Sequence, residues 1–458
     1  MKQLLILTIT FCMIFSSCKK DEVGVDVEDE FETYSGGRTT VFSDGPTSYN
    51  FPSNNLDADG MQKHLNADKA FSQTFVTAPA LHFGGIGPMF NQNSCENCHV
   101  RNGKGIIPSV DGDRSSGALM RLSLPGYSPI DGNIKVPGFG FQLQSKAIFG
   151  ETPEGSLSIT QVQKIVNFVD GSTATISKNN YQIVNTYIPL PGNVQTSFRN
   201  APAIFGLGLI DAISTADILK HADPDDLDKD GISGRPNYVY DIPSKTMKLG
   251  KYGWKAGQPT TLQQSANAAV NDMGLTNSLF PKENCNGQAN CNNGTQEQLD
   301  MDDNLLDLLN FYVQTVAVPA TRNTKNKDFT AGKMIFTKLK CASCHVPSYT
   351  TSTYHIKELS NQKIYPYSDF LLHDMGEGLA DNRTEFDATG QEWRTPPLWG
   401  LGLNKIVNSN TSFLHDGRAN TIEEAILWHG GEAEKSQKEY LQLSKKDREL
   451  LLFFLNSL

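Results

Sequence analysis

The chain contains 458 residues and carries a formal net charge of −10 at pH 7, with an isoelectric point near 5.4. This length is enough for two or more domains. Because the chain is acidic and has no cluster of basic residues, its composition excludes nucleic acid as an expected partner.

The first 18 residues have the composition of a secretory signal. A basic residue at position 2 precedes an apolar run from Leu4 to Phe15, and two serines then lead to Cys18. This order is typical of a lipoprotein signal peptide. The run of about 12 residues is too short to span a membrane, which takes roughly 20. We therefore expect a signal peptide over residues 1–18, a lipid on Cys18, and a location in the cell envelope as a periplasmic or outer-membrane lipoprotein.

Residues 19–49 are rich in acidic side chains and contain few large apolar ones. Such a composition favours a solvated, disordered segment. We predict that this segment tethers a folded body to the lipid. Its acidic residues are Asp21, Glu22, Asp26, Glu28, Asp29, Glu30, Glu32 and Asp44.

Two motifs of the form CxxCH stand 246 residues apart. Two thiols three positions apart on one helical turn can each bond to a haem vinyl group, and the adjacent histidine can ligate the iron. The sequence therefore predicts two covalently attached c-type haems, each with its motif histidine as an axial ligand. The predicted haem-binding residues are Cys95, Cys98, His99, Cys341, Cys344 and His345.

Three other uses of these cysteines are open to the sequence. A thioredoxin-like redox pair also uses CxxC, but it requires a βαβ context that neither motif has. A zinc site could combine both pairs, although zinc modules usually bring their pairs closer together in sequence. Structural disulfides would leave both motif histidines unexplained.

Residues 50–319 are predicted to form an N-terminal haem domain. Because these residues are rich in Gly, Pro and Asn, we expect long loops within it. The pair Asp170-Gly171 separates two runs with β-branched residues and predicts a β-hairpin. Apolar residues at helical spacing predict a helix from Met301 to Val316, which Pro319 ends.

Asp226, Asp228 and Asp230 alternate before a glycine, which matches the opening of a calcium-binding loop. Asn237 stands where an EF-hand has its last glutamate, so the loop is not an EF-hand. We expect these aspartates to bind calcium, with Asp223 or backbone oxygens completing the site. The alternative is a solvated acidic turn.

Cys285 and Cys291 lie in a polar loop rich in Asn and Gly. An oxidising compartment favours a disulfide between them, which would close a small ring and contribute roughly 2–3 kcal/mol. The alternative is a pair of free thiols.

Residues 321–458 are predicted to form a C-terminal cytochrome c domain. A helix from Ala331 to Leu339 leads into the second motif. A capping box begins at Thr421, and Ser444 opens the last helix. A helix before and a helix after a haem motif is the usual arrangement of a small cytochrome.

Six short segments between residues 80 and 458 carry a further pattern. They are Gly87–Asn91, Arg199–Ile204, Gly253–Ala256, Trp393–Trp399, Phe413–Ala419 and His429–Ala433. In this order they resemble the bacterial di-haem oxidoreductase family, which is related to di-haem cytochrome c peroxidases and to the methylamine-utilisation maturation enzyme. The resemblance implies a mainly α fold with two cytochrome c-like haem domains, long loops and a small β-hairpin insertion.

The resemblance also implies that one haem transfers electrons while the other meets peroxide. Relatives take a sixth ligand from a Tyr-Met-His-Asp-Gly motif, and the position of that methionine is Leu414 here. Met375 and His415 are therefore the candidate sixth ligands of the second iron. The alternatives are core packing for Met375 and a hydrogen-bonded structural histidine for His415. His82 and Met89 precede the first motif closely but resemble entrance-loop residues.

The reactive haem of such relatives needs a distal acid or amide to steer protons during O–O cleavage. Gln142, Gln144 and Glu154 lie where the relatives keep such groups, and Gln144 and Glu154 are our candidate catalytic residues. By the same resemblance, Trp254 is a candidate electron relay between the haems. The alternatives are a surface-loop position for Glu154 and a core position for Trp254.

The sequence thus favours an exported di-haem oxidoreductase that is peroxidase-like. Its partners would be a redox protein or small electron donor, and peroxide or another oxidant. The main alternative is a non-enzymatic electron carrier in which both irons are six-coordinate. A third class is a CxxC thiol–disulfide protein without haem.

Overall fold

A computed structural model describes residues 29–113, 117–284 and 299–458. The predicted signal peptide, the first ten residues of the tether and the pair Cys285 and Cys291 lie outside these residues. Within the described part of the chain, no helix combines the length and the apolar character that crossing a bilayer requires.

The described residues form α-helices that are mostly short. The helices are α1 Ala58–Ser72, α2 Cys95–Cys98, α3 Leu207–Ala212, α4 Thr215–Leu219, α5 Thr261–Met273, α6 Asp303–Thr315, α7 Lys327–Lys338, α8 Gly376–Leu379, α9 Asn404–Val407, α10 Ile422–Trp428, α11 Glu434–Leu441 and α12 Lys445–Ser457.

The strands pair only two at a time, always antiparallel. They are β1 Met89–Phe90, β2 Ala118–Ser123, β3 Lys146–Ala147, β4 Ser156–Asn167, β5 Thr173–Val184, β6 Gln195–Asn200, β7 Tyr238–Asp241, β8 Thr246–Leu249, β9 Tyr349–Thr350, β10 Lys363–Ile364, β11 Leu372–Asp374 and β12 Glu392–Arg394. The pairs are β1 with β3, β2 with β6, β4 with β5, β7 with β8, β9 with β10 and β11 with β12.

The mainly α fold expected from the resemblance is wrong. The chain is 29% helix and 18% strand, and its sheets are small two-stranded pairs. Turns and irregular loops rich in Gly, Pro and Asn make up most of the remainder, and such residues favour turns over long helices. The molecule is better described as short helices and strand pairs around two longer helix pairs.

The two longer helix pairs flank the two CxxCH motifs. In the first pair, α1 packs on α6, and Phe71 and Tyr312 lie with ring centroids 4.8 Å apart. In the second pair, α7 packs on α12, and Phe336 and Phe454 lie 5.3 Å apart. Each motif therefore follows one helix of a packed pair.

The helix starts predicted from the sequence are confirmed by side-chain caps in the structure. Helix α6 lies within the predicted Met301–Val316 segment and begins where the Asp302 side chain accepts the Leu305 N–H. Helix α10 begins where the Thr421 hydroxyl accepts the Glu424 N–H, and α12 begins at Ser444. These caps satisfy backbone donors that a helix start leaves unpaired.

The predicted hairpin is observed as β4 and β5, with Asn167 opposite Thr173. Gly171 in the turn has φ +82°, a conformation that costs glycine little. The turn is held against the C-terminal helices, because Asp170 pairs with Arg448 at 2.9 Å. The hairpin therefore reaches from the first half of the chain to α12.

One hydrophobic core spans both halves of the chain. It contains Phe71 and Tyr312 from the first half together with Phe370, Trp399 and Leu403 from the second. A smaller core gathers α7, α10, α11 and α12. Buried side chains from both sides of residue 320 thus share the first core, which includes α1 and α6, while α7 and α12 lie in the second core.

Residues 29–49, which the sequence assigned to the acidic tether, pack against this body. Glu32 is 1% exposed and bonds Lys333 of α7 at 2.7 Å. Asp29 accepts hydrogen bonds from Lys363 and Tyr365. The charge of these acids is balanced by partners elsewhere in the chain, which composition alone does not reveal.

Candidate functional site

Both CxxCH motifs adopt the same tight turn. The His99 N–H donates to the Cys95 carbonyl at 3.0 Å, and the His345 N–H donates to the Cys341 carbonyl at 2.9 Å. The first motif forms α2, and the second forms a 3₁₀ turn directly after α7. In each case the turn brings two thiols and one imidazole to the same place.

The two motif histidines share one orientation. Nδ1 of His99 donates to the Pro202 carbonyl at 2.7 Å, and Nδ1 of His345 donates to the Tyr367 carbonyl at 3.0 Å. Burial lowers the pKa of both histidines to about 4, so both rings are neutral at pH 7. A neutral ring that donates through Nδ1 keeps its lone pair on Nε2, which is the form that ligates metals.

The two motifs open into one cavity of about 480 Å³. An aromatic ring from the preceding helix supports each motif histidine. Phe71 of α1 lies 6.4 Å from His99, and Phe336 of α7 lies 6.3 Å from His345. The walls are largely apolar, which suits a large planar group.

The four motif cysteines are not joined by disulfides. Burial raises the pKa of Cys95 and Cys341 to about 12 and raises the pKa of Cys98 and Cys344 as well. Thiol–disulfide catalysts need a thiolate near neutral pH and therefore a lowered pKa. The protonated thiols in this cavity argue against that class of activity.

The second motif has a further histidine that the sequence analysis missed as a ligand. His429 follows α10, lines the cavity and donates through Nδ1 to the Ala425 carbonyl at 2.7 Å. Burial lowers its pKa, so its ring is also neutral. It thus repeats the arrangement of His99 and His345. The available signal was its position directly after a capped apolar helix.

The two predicted sixth ligands occupy different surroundings. His415 stacks on Trp393 with ring centroids 3.6 Å apart and an interplanar angle of 12°, and burial lowers its pKa to about 3. Met375 packs against the cluster of Trp254, Leu379 and Trp393. Both residues line the cavity, and neither has the backbone-anchored geometry of His429.

Trp254 also lines the cavity that both motifs share. Its Nε1 donates to the Asn200 carbonyl at 2.7 Å, and its ring meets His415 edge to face at 6.5 Å. Trp393 continues this aromatic group on the other side of His415. The arrangement is compatible with the predicted relay role and equally with a core role.

Near the first motif, the predicted catalytic pair does not line the cavity. Glu154 is fully buried, accepts the Gln144 N–H at 2.7 Å and has its pKa raised to about 9 by burial. The Gln144 side chain donates to the Asn271 carbonyl at 2.7 Å. Neither Glu154 nor Gln144 lines the cavity, whereas Gln142 does.

Two charged residues that the sequence analysis missed line the cavity beside Gln142. They are the acid Asp272 and the cation Arg121. Gln142 donates to Asp272 at 2.7 Å and accepts from Arg121 at 3.2 Å. All three residues line the cavity. We call Arg121, Gln142 and Asp272 the distal cluster. No local pattern marked Asp272, which lies near the end of α5.

Cationic side chains also face the cavity. The Lys104 ammonium lies 5.6 Å from the Trp254 ring and 5.3 Å from the Phe413 ring. Burial lowers its pKa to about 8. Among the described residues, it has no hydrogen-bond or ion-pair partner. A buried cation of this kind suits an anionic ligand group such as a haem propionate.

These features fit the cofactor that the motifs imply. Four thiols at two turns can form thioethers, and Nε2 of His99 and of His345 can ligate iron. The cavity is apolar enough for porphyrin rings, and Lys104 can meet a propionate. The residues present therefore match a protein that holds two haems.

The acidic loop brings together a different trio from the one predicted. Carboxylate oxygens of Asp223, Asp226 and Asp228 lie within 4.8 Å of one another. Asp230 instead accepts the Ile232 N–H at 2.9 Å. Asn237 is buried elsewhere and donates to the Lys255 carbonyl at 2.7 Å, so it is directed away from the acidic trio.

His373 forms a second charged group beside the second motif. Its Nε2 bonds Asp369 at 2.8 Å, and its Nδ1 bonds Glu432 at 2.7 Å. Burial lowers the pKa of His373, but the neighbouring Cys344 sulfur and the Asp369 carboxylate raise it by more, so that the pKa lies well above 6.5. The Cys344 sulfur lies 3.5 Å from Nδ1. An imidazolium held at both nitrogens cannot ligate a metal, so this group is electrostatic.

A comparison with protein families matches the profile described as "Di-haem oxidoreductase, putative peroxidase" over residues 30–122 and 156–458. No curated protein and no solved structure matches the chain. The matched ranges include both CxxCH motifs, His429 and Asp272. They cover most of the chain, and the resemblance drawn from the six segments is confirmed. The chain belongs to the di-haem oxidoreductase family.

Proposed function

We propose that this protein is an exported di-haem c-type cytochrome that reduces peroxide, with an electron-transfer haem at the second motif and a reactive haem at the first. The observation that carries the proposal is the difference between the two halves of the cavity. The second half offers His429 as a further ligand, while the first half offers the distal cluster of proton-donating and cationic groups.

Haem bound at the motifs would supply one-electron chemistry and peroxide activation. The protein's own contribution begins with the backbone carbonyls of Pro202 and Tyr367, which fix the rings of His99 and His345. Hydrogen bonds to Nδ1 make such rings better iron ligands. Burial lowers the pKa of both histidines and so keeps both rings neutral at pH 7.

A sixth ligand decides whether an iron transfers electrons or reacts with a substrate. His429 is the best-supported sixth ligand for the second iron, because its Nδ1 is fixed on a backbone carbonyl as in the motif histidines. Met375 and His415 remain alternatives. Trp254, stacked edge to face against His415, is the proposed relay between the halves.

Partners follow from this chemistry. The electron donor would be a redox protein or a small one-electron donor, and the oxidant would be peroxide or a related compound. The predicted lipid at Cys18 would keep the protein at the cell envelope, in the periplasm or at the outer membrane. Calcium at Asp223, Asp226 and Asp228 is part of the same proposal, supported by the convergence of three carboxylates.

The alternative function is electron carriage with both irons six-coordinate. Met273 favours it, because this buried thioether lines the cavity on the helix that also carries Asp272. If Met273 ligated the first iron, no open site would remain for peroxide.

The test is an electron paramagnetic resonance spectrum of protein matured with a haem-attachment system. Mass spectrometry should first show two haem additions. We expect one high-spin and one low-spin ferric signal in equal amounts, and peroxide should perturb the high-spin signal. Two low-spin signals at every potential, without any response to peroxide, would support the electron carrier instead.

A further inference from the structure

The distal cluster differs from the other acidic groups of the cavity. Three carboxyl side chains line the described cavity: Asp272, Glu385 and Glu432. Glu385 is bonded by Arg199 and Arg383, each at 2.8 Å, so it stays ionised. Glu432 holds His373. Asp272 is therefore the cavity acid without a direct ionic partner at hydrogen-bond distance among the described residues.

The position of Asp272 relates it to the first motif. Its backbone carbonyl accepts the N–H groups of Asn91 and Gln92, and Gln92 lies three residues before Cys95 on the cavity wall. Burial raises the pKa of Cys95 and of Cys98, and the nearby charge of Asp272 raises both further. Asp272 thus lines the same cavity as the two thiols and lies close to them.

The hydrogen bonds at Asp272 suit a group that gains and loses a proton. One carboxylate oxygen accepts from the Gln142 amide at 2.7 Å, while Arg121 holds the other end of the amide at 3.2 Å. Gln142 can satisfy the carboxylate without forcing it to remain ionised, because an amide carries no charge. Arg121 is placed to stabilise negative charge that develops in the cavity.

Resting on the proposed function, we propose that Asp272 is the proton donor for peroxide reduction at the first motif, oriented by Gln142, and that Glu154 is not. Reduction of hydrogen peroxide to two water molecules breaks the O–O bond and consumes two protons and two electrons. The electrons come from a one-electron donor protein through the bound cofactor. Asp272 gives its proton to the departing oxygen, which leaves as water, and regains a proton from solvent, which also supplies the second proton.

Electrostatics support this role. Burial raises the pKa of Asp272 to about 6, although Gln142 and Arg121 oppose the shift. A general acid works best when its pKa lies near the working pH. The other charged or titratable groups around it are Lys146, which bonds Gln92, and the thiols of Cys95 and Cys98, which would be uncharged thioethers once haem is attached.

The test compares Asp272→Asn with Glu154→Gln in the di-haem protein. The first readout is fluoride binding to the ferric protein, followed by absorption between pH 4.5 and 8.5, because a bound fluoride is stabilised by a nearby proton donor. We expect a change of slope near pH 6 in the wild type. Asp272→Asn should abolish that change and weaken fluoride binding at least tenfold, while Glu154→Gln should preserve both.

The second readout is the rate at which peroxide changes the haem spectrum. Asp272→Asn should lower the second-order rate constant roughly 100-fold or more, with an unchanged resting spectrum, and Asp272→Glu should restore part of it. Rates and fluoride affinity within threefold of wild type in Asp272→Asn would overturn the proposal, as would a large loss in Glu154→Gln alone. A wild type that binds fluoride as described yet ignores peroxide would overturn peroxide reduction and leave Asp272 as a proton-holding group.

The variants themselves must keep the fold. Substituting the Asp272 side chain leaves its carbonyl bonds to Asn91 and Gln92 in place, so the asparagine variant is expected to fold. If it does not bind two haems, Gln142→Leu provides the second variant. It removes the orienting amide but leaves the acid, and it should shift the change of slope in fluoride binding away from pH 6. An unshifted profile in that variant would contradict the orienting role.

Discussion

The two CxxCH regions are built alike up to the motif histidine and differ beyond it. In both, a helix carries a phenylalanine against the histidine, and a second helix packs on the first. In both, Nδ1 is fixed on a backbone carbonyl. The second region then adds His429, whereas the first adds Asp272 and its amide. The same motif is thus followed by a further histidine in one region and by an acid in the other.

Under the proposed function, this difference means that the CxxCH motif alone would not determine what each iron does. The role would come from residues far along the chain, on α5 and after α10, that the fold brings to the cavity. The predictions below change one region at a time and use the other as the internal reference.

The largest effect is expected at His429. His429→Ala should convert the low-spin ferric signal to high spin, because the second iron would lose its sixth ligand, while the first iron keeps its spectrum. Met375→Ala is the matched control and should leave both signals unchanged. Electron paramagnetic resonance spectra of both variants provide the test. A low-spin signal that is lost in Met375→Ala and kept in His429→Ala would make Met375 the ligand.

The next effect is on the stability of the two helices whose phenylalanines pack against the motif histidines. Phe71→Ala and Phe336→Ala should each lower the free energy of unfolding by about 3–5 kcal/mol, because both rings are buried against a helix and a histidine. Exposed residues on the same two helices, Leu65 and Met334, serve as alanine controls and should stay within about 0.5 kcal/mol. Urea unfolding measures all four. A large loss of unfolding free energy in only one of the two phenylalanine variants would show that the two helix pairs do not support their motifs in the same way.

A smaller effect is expected from Asp272, the half-buried acid of the first region. The folded protein raises the pKa of Asp272 from 3.8 to about 6, so the folded state favours the protonated form. The associated stability is fully present below pH 3.8 and is lost as the pH rises through 6, a change of about 3 kcal/mol.

Asp272→Asn should therefore stabilise the protein above pH 6 relative to the wild type, and the gain should disappear near pH 4. Urea unfolding at both pH values measures it, with the exposed Asp307→Asn as control. A gain of equal size at both pH values would indicate a cause other than the titration of Asp272.

The smallest expected effect is that of calcium on stability, through the acidic loop. The hydroxyl of Ser233, which follows this loop, donates to a carboxylate oxygen of Glu432 in the second region at 2.6 Å. Free calcium at ten times its Kd should add about 1.4 kcal/mol of stability. Asp228→Asn should remove the calcium heat in titration calorimetry, and Asp230→Asn should retain it, because Asp230 lies outside the converging trio. Equal heats in the Asp228 variant and the wild type would exclude this site.

Sequence reasoning succeeded where the signal was local. The caps at Thr421 and Ser444 and the hairpin at Asp170 all depend on neighbours within a few residues. It also recovered the family from six short segments. It was wrong on the fold class, because the helical segments it recognised are only a minority of a chain dominated by loops and paired strands.

The parts of the site that escaped prediction are those that depend on distant contacts. Asp272 meets Gln142 across 130 positions of sequence, and no local pattern marks such a pair. His429 was visible as a residue, but only its bond to the Ala425 carbonyl and its place on the cavity wall make it a candidate ligand. Glu32 likewise looked solvated until its partner Lys333 was known.

The core that joins both halves of the chain has a mechanical consequence. Because Phe71 and Trp399 belong to one buried cluster, the parts of the chain before and after residue 320 cannot separate without exposing apolar surface. Electron exchange between haems held at the two motifs would therefore not need these parts of the chain to separate.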